Sequence, residues 1–173
     1  MQTTKRYTNQ TFTKHVDDEA GRHRTLRSLP EPAVCQVCGD VYADRRWSKN
    51  DPARVASKHK QFRAQQSVVC PACQRQHSGV PSGFVYVEGK FSTLHRDEIR
   101  QLLENEVQRA SEDNPLARIM NWQVDADGRL TVETTTDHLA QRLGHALSKA
   151  FHGKTRYGFS HRNKLTRVWW HRD

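Results

Sequence analysis

Apolar residues recur at helical spacing in the middle of the chain. The stripe begins near residue 93 and ends at the helix-stopping dipeptide Asn114-Pro115. Its apolar members are Leu94, Ile99, Leu102, Leu103 and Ala110. Two acidic residues, Asp97 and Glu98, fall in the early turns, where they suit the positive end of the helix dipole. The pattern predicts one amphipathic helix in this region.

Strict alternation of apolar and polar residues follows on both sides of Asp127-Gly128. The alternating positions are Met120, Trp122 and Val124 before the turn, and Leu130, Val132 and Thr134 after it. An Asp-Gly pair between two alternating runs is a strong signal for a tight hairpin turn. The segment therefore predicts an antiparallel β-hairpin.

A second helical stripe starts at Thr136 or Asp137, either of which can cap a helix, and ends before Gly153. Its apolar members are Leu139, Leu143, Ala146, Leu147, Ala150 and Phe151. The segments TRYGFSH and LTRVWWHR then read as one or two strands, in which Trp169 and Trp170 face opposite sides. Residues 92–173 thus predict an α-β-β-α-β sandwich with helices on one side of an antiparallel sheet, an α+β fold.

The N-terminal half shows less periodicity. Residues 1–33 are polar and basic, and we expect a flexible arm that ends at Pro30 and Pro32. Residues 34–91 hold every cysteine of the chain, and they end with the alternating run FVYVEGKF, which predicts a strand that closes this region near Phe91. The chain therefore divides into an arm, a cysteine domain and the sandwich.

The four cysteines form two CxxC pairs, Cys35 with Cys38 and Cys70 with Cys73. Two turns of this kind supply four thiolates, the ligand set of a closed tetrahedral zinc site. Gly39 and Pro71 are suited to such turns, because glycine lets the backbone approach the sulfurs and proline restricts the backbone. We expect a structural Zn²⁺ site of zinc-ribbon or treble-clef-like type.

Other uses of the cysteines remain open at this point. Two disulfides would require an oxidising compartment, and four unrelated buried thiols would not need the paired spacing. A redox CxxC belongs at the start of a helix after a strand, a context that the sequence around Cys35 and Cys70 does not predict. Four thiolates also accept iron, which would colour the protein.

The 173-residue chain carries a net charge of +9, unevenly spread. Residues 35–90 carry nine basic and four acidic residues and residues 137–173 eight and two, whereas residues 91–136 are acidic. The stretch between the cysteine pairs is longer than the linker of a compact zinc ribbon, and we interpret it as a basic insert. Two basic regions around an acidic one predict a cationic face that binds nucleic acid.

Aromatic residues lie among these cations, a combination that offers base stacking beside phosphate contacts. The candidate RNA-binding residues are Arg45, Arg46, Trp47, Lys49, Lys58, Lys60, Arg63, Arg142, Lys149, Arg162, Lys164 and Arg167. Solvated charge and buried aromatic rings are the ordinary alternatives for such residues.

Motifs for catalysis are lacking in the sequence: there is no nucleophile motif, Gly-rich phosphate loop or carboxylate pair. A nuclease in which His59 or His77 activates water would need a second metal site, for which no ligand cluster is visible. No apolar run is long enough to cross a membrane, and the first residues lack the apolar region of a signal peptide. We therefore expect a cytoplasmic protein that is not an enzyme, with no membrane or small-molecule partner.

Several motifs resemble those of a family of bacterial zinc-ribbon proteins of uncharacterised function. These are VCQVCGDVY, RRW, CPACQRQHSGVPSGFVYVEGKF and the helix start at Thr136-Asp137-His138. That family is distantly similar to the large-ribosomal-subunit export adaptor of archaea and eukaryotes, the nonsense-mediated-decay-three type. The resemblance covers residues 34–172, and it implies that the four cysteines bind metal and that the protein binds the large ribosomal subunit rather than exporting it.

These observations predict a zinc-stabilised protein that binds structured RNA. Its expected target is the ribosomal RNA of the large subunit during assembly, stress or hibernation. A zinc-ribbon transcriptional regulator that binds DNA is one alternative, although the last helix offers few polar residues for reading bases. A protein–protein adaptor that uses the acidic helix is another.

Overall fold

The computed structural model describes residue 29 and residues 31–49, 66–160 and 164–173, except for the side chains of residues 66 and 67. The arm predicted for residues 1–33 lies almost entirely outside this range. So do four candidate RNA-binding residues, namely Lys58, Lys60, Arg63 and Arg162. The described residues form a mixed α+β structure with two sheets, as the sequence predicts.

The first sheet belongs to the cysteine-containing part of the chain, which we call the cysteine module. Its elements are β1 (Ala33–Cys35), β2 (Val41–Ala43), β3 (Arg46–Ser48) and β4 (Gln66–Val68), followed by helix α1 (Pro71–Ser78). The strand order is β3-β2-β1-β4, with β4 parallel to β1 and the other pairs antiparallel. Part of the predicted basic insert therefore forms the β2–β3 hairpin.

The second sheet is the centre of the sandwich. Its elements are β5 (Gly83–Glu88), α2 (Lys90–Leu94), α3 (Arg96–Asp113), β6 (Ile119–Val124), β7 (Leu130–Thr134), α4 (Asp137–Phe151), β8 (Lys154–Ser160) and β9 (Leu165–His171). The strand order is β6-β7-β5-β9-β8. No helix in the described ranges is long and apolar enough to cross a membrane.

Strand β5 corrects the predicted domain boundary. The sequence predicts it as the last strand of the cysteine domain, but it is the middle strand of the second sheet, between β7 and β9. The boundary therefore falls between α1 and β5. The sheet is also mixed rather than antiparallel, because β5 runs parallel to β9.

The predicted hairpin and second helix are confirmed. Gly128 has φ of 79° in the β6–β7 turn, a left-handed conformation that glycine adopts without steric cost. The hydroxyl of Thr136 caps α4 by accepting a hydrogen bond from the backbone N–H of Leu139 at 3.2 Å. The helix ends at Phe151, followed by the left-handed residues His152 and Gly153.

Helices α3 and α4 cover one face of the second sheet and build the main core. The core joins helix residues Ile99, Leu103, Leu143 and Leu147 to strand residues Val85, Val132, Val168 and Trp170. Trp170 is fully buried, and its indole N–H donates to the carbonyl of His152 at 2.7 Å. Of the adjacent tryptophans, Trp169 is therefore the one on the opposite face.

The first predicted helix is two helices with a break at His95. Leu94, counted in the apolar stripe, belongs to the short helix α2 and is 81% exposed, whereas Leu103 on α3 is completely buried. The helical period is thus interrupted at the break, so Leu94 does not share the buried face of α3.

These two leucines allow a matched test of the fold. Leu103→Ala should lower the free energy of unfolding by about 2–5 kcal/mol, because it leaves a cavity in the core. Leu94→Ala should change it by less than about 0.5 kcal/mol. Urea denaturation of the metal-loaded protein measures both values, and equal midpoints for the two variants would contradict the described packing.

Candidate metal centre

The first cysteine pair lies in a tight turn between β1 and β2. Cys35 ends β1, and its backbone carbonyl accepts from the N–H of Gly39 at 2.8 Å. The N–H of Cys35 in turn donates to the carbonyl of Asp40 at 2.8 Å. Gly39 has φ of 79°, so glycine permits the chain to reverse here, as the sequence predicts. The reversal brings the thiols of Cys35 and Cys38 to the same side.

The second pair lies at the start of helix α1 rather than in a second knuckle. Cys70 is the N-cap, Pro71 occupies the first turn, and the Cys70 sulfur accepts from the N–H of Cys73 at 3.4 Å. The prediction that both pairs lie in similar turns is wrong for this pair. A CxxC after a strand and at the start of a helix is also the usual position of a redox pair. The position of Cys70 and Cys73 after β4 therefore does not exclude redox chemistry.

All four sulfurs converge on one point. Every ligand atom of Cys35, Cys38, Cys70 and Cys73 lies within 4.8 Å of the others. The sulfurs of Cys38 and Cys70 are 3.7 Å apart, close to the separation of about 3.8 Å expected between ligands of a tetrahedral zinc–thiolate centre. None of the four is in a disulfide. A redox pair needs two thiols, whereas this geometry gathers four, so the cluster can hold a metal ion.

The surroundings affect the thiols differently. Burial raises the pKa of Cys35, but N–H groups of Cys70, Cys38 and Val37 donate to its sulfur and together lower the pKa to about 6. Burial raises the pKa of Cys70 and of Cys73. The backbone therefore already stabilises one thiolate, while the other two buried thiols need a cation to ionise readily.

A guanidinium from the sandwich supplies positive charge beside the cluster. Arg118, just before β6, donates to the sulfur of Cys38 at 3.2 Å and to that of Cys73 at 3.5 Å. It also forms an ion pair with Asp40 at 2.5 Å, and the side chain of Asp40 is only 8% exposed. Burial lowers the pKa of Arg118, but the bond to Cys38 and the negative charge of Cys38 and Asp40 raise it above its usual value.

The loop between α3 and β6 positions this arginine. The Nε of Arg118 donates to the carbonyl of Pro115 at 2.8 Å, and its backbone N–H donates to the hydroxyl of Thr135 at 2.8 Å. Leu116 of the same loop packs against the buried residues of the cysteine module. Arg118 and Asp40 thus connect the two parts of the chain at the sulfur cluster. The sequence did not predict a role for Arg118 or for Asp40, because no residue near either one in the chain indicates that the two form an ion pair.

The candidate RNA-binding residues that the structure describes do not form one surface. Arg45, Arg46 and Lys49 are exposed at or beside the β2–β3 hairpin of the cysteine module. Lys149 is exposed on α4, on the helical side of the second sheet, whereas Arg167 lies on the opposite side. Lys164 is exposed just before β9.

Two candidates have structural roles instead. Trp47 is only 8% exposed and packs against Tyr42, with ring centroids 5.3 Å apart, in the core of the cysteine module. Arg142 forms ion pairs with Glu106 and with Asp113, which joins α4 to α3. Their placement argues against the predicted roles, because a buried ring cannot stack on a base and a paired guanidinium has fewer donors for phosphate.

Comparison of the chain with models of known protein families, with curated proteins and with solved structures gave no match. The resemblance to bacterial zinc-ribbon proteins therefore stays a prediction. The function is therefore inferred from the geometry of the four cysteines and of the groups around them.

Replacing Arg118 should weaken metal binding without removing a ligand. Groups that hydrogen-bond to ligands typically contribute 10- to 100-fold to metal affinity, and Arg118→Gln removes a positive charge from two sulfurs. We expect a loss of about that size in competition with a chromophoric chelator. Arg109→Gln is the control, since the side chain of Arg109 is 72% exposed on α3. Equal affinities for the two variants would contradict a role of Arg118 at the centre.

Proposed function

We propose that the cysteine module is a structural zinc site of treble-clef type. The supporting observation is its geometry: two ligands come from a knuckle between β1 and β2, and two come from the first turn of α1. Four thiolates complete a tetrahedral shell and leave no position for substrate, which favours a structural metal over a catalytic one. Zn²⁺ suits four sulfur ligands held at this spacing.

We further propose that the protein binds RNA through cations carried by this module. The observation that carries the proposal is the tip of the β2–β3 hairpin. Asp44 and Arg45 have φ of 53° and 58° in the connecting turn, and the side chains of Arg45 and Arg46 are exposed there. Within the described part of the chain these two guanidinium groups have no carboxylate partner, although Glu31 accepts from the backbone N–H of Arg45 at 3.0 Å.

The metal would fix where these charges are presented. Strand β2 pairs with β1, and β1 ends in a ligand, so the hairpin is only one strand away from the metal shell. A hairpin that is held rigidly loses less conformational entropy when its arginines bind phosphate. The proposed role is therefore binding, with zinc as a structural cofactor and no catalytic residue.

The proposed target is the ribosomal RNA of the large subunit, encountered in the cytoplasm during assembly, stress or hibernation. The resemblance of the cysteine frame supports this choice, and the positive charge of +9 supports an anionic partner. Phosphate contacts of this kind predict binding that weakens steeply with salt.

Sedimentation of the native protein through sucrose gradients tests this function. The protein should comigrate with the large subunit at low salt and leave it at high salt. The R45E/R46E variant should move to the top of the gradient even at low salt, because it replaces the exposed cations of the hairpin. R100E/R109E changes the net charge equally on the acidic helix α3 and should still comigrate.

Wild-type protein confined to the gradient top at low salt, in growing and in starved cells, would contradict ribosome binding. If R45E/R46E comigrates with the large subunit as completely as R100E/R109E does, the hairpin is not the surface that binds the ribosome. Thermal melting of both variants checks that each retains its fold.

A further inference from the structure

The face of the second sheet that lies away from α3 and α4 carries three aromatic side chains at its centre. Phe84 and Tyr86 project from the central strand β5, and Trp169 projects from the neighbouring strand β9, directly opposite Tyr86 in the register. All three are half-buried. We call this surface, with its flanking polar residues, the aromatic face.

The three rings form a continuous cluster, in which Phe84 and Tyr86 follow each other along β5 and Trp169 lies across from Tyr86 on β9. The centroids of Phe84 and Tyr86 are 6.0 Å apart with planes 1° from parallel, and those of Tyr86 and Trp169 are 5.8 Å apart with planes 23° from parallel. In a two-layer sandwich the face away from the helices usually carries polar residues, while here the core lies under the helices. Three aromatic rings at the centre of that face therefore indicate a ligand that stacks.

A glycine makes room for the tryptophan. Gly158 on β8 faces the indole of Trp169, and a Cβ at this position would come within 2.9 Å of its Cζ3 atom. Any larger residue would push the ring away from its place beside Tyr86. The Trp169 ring can therefore occupy this position only because residue 158 on the edge strand β8 is a glycine.

Positive charge lies on one side of the ring cluster. Arg156 of β8 is exposed, and its guanidinium carbon is 4.4 Å from the centre of the Trp169 ring. Arg167 projects from β9 beside Gly158. Neither has a carboxylate partner among the described residues, so their donors are available to phosphate. Arg129, near Tyr86, differs because it is paired with Asp125 and Glu88.

Uncharged polar groups and one carboxylate lie on the other side. Asn121 and Gln123 of β6 are exposed, and Thr131 and Glu133 of β7 lie between them and the aromatic rings. The exposed amides and the carboxylate can pair with base edges and with ribose 2′-hydroxyls, whereas the carboxylate would repel phosphate. The charges therefore orient a strand with its phosphates over β8 and β9 and its bases toward β5 and β7.

We propose that the aromatic face binds single-stranded RNA, with about three unpaired bases stacked on the ring cluster. Bases inside a helix already stack on each other and cannot use such a surface, so the ligand is an unpaired loop or end. The proposal rests on the proposed RNA-binding function and specifies which part of an RNA this second surface takes.

Two tryptophans provide a matched test. Trp169→Leu removes the aromatic ring from the aromatic face. Trp122→Leu makes the same change on the helical side, where Trp122 packs on the core under Arg100, whose guanidinium carbon is 5.3 Å from the ring centre. The probe is a fluorescein-labelled oligouridylate of about 12 nucleotides, titrated with metal-loaded, full-length protein.

Trp169→Leu should weaken binding of the probe by about 10-fold, and Trp122→Leu should leave it unchanged. Arg156→Gln, an exposed substitution that does not threaten folding, should also weaken binding and reduce its salt dependence. A fully paired RNA and an oligothymidylate of the same length should bind more weakly than oligouridylate.

Unchanged affinity in both Trp169→Leu and Arg156→Gln would overturn the proposal. So would equal binding of oligothymidylate, or a dimer that forms without RNA and dissociates in Trp169→Leu, since a second copy would then occupy the face. Sedimentation of the R45E/R46E variant tests ribosome binding independently of the oligouridylate titration. The proposed ribosome binding and the proposed binding of single-stranded RNA by the aromatic face can therefore be contradicted separately.

Discussion

The structure depends on the convergence of four cysteine sulfurs at one point. The strands of the cysteine module contain three residues each, too few to hold a sheet together by hydrogen bonds and burial alone. A metal ion bound by the four sulfurs would join the β1–β2 turn to the start of α1 and, with them, strands that are separated by residues 50–65 in sequence. Arg118 and Asp40 extend this connection to the sandwich, because one guanidinium contacts two of the sulfurs and a buried carboxylate. Metal binding and the attachment of the two parts are therefore physically linked.

The two faces of the second sheet differ: one packs against the helices, and the other carries aromatic side chains. Val85, Val168 and Trp170 point to the helices and are buried, while Tyr86 and Trp169 on the same strands point away from them. The alternation of a strand makes this division possible without added elements. Together with the hairpin tip at Arg45, the protein then has two cationic surfaces of different character. The hairpin tip presents charge alone, whereas the aromatic face combines charge with aromatic rings.

Local signals predicted the elements that local physics determines. The Asp127-Gly128 hairpin, the Thr136 cap of α4 and the paired cysteines were all readable, because turn geometry, capping and ligation depend on neighbouring residues. The place of β5 was not, since its parallel pairing with β9 joins distant segments and leaves no local trace. The ion pairs of Arg142 and Arg118, and the burial of Trp47, likewise depend on residues brought together only by folding. An arginine on a helix looks the same in sequence whether it faces RNA or a glutamate.

The central claim is that four cysteines hold one zinc ion, and zinc X-ray absorption of the purified protein, combined with native mass spectrometry, tests it most directly. The account predicts one zinc per chain with four sulfur neighbours at about 2.3 Å. Nitrogen or oxygen in the first shell, iron in place of zinc, or a metal-free mass reduced by the hydrogens lost in disulfide formation would contradict it.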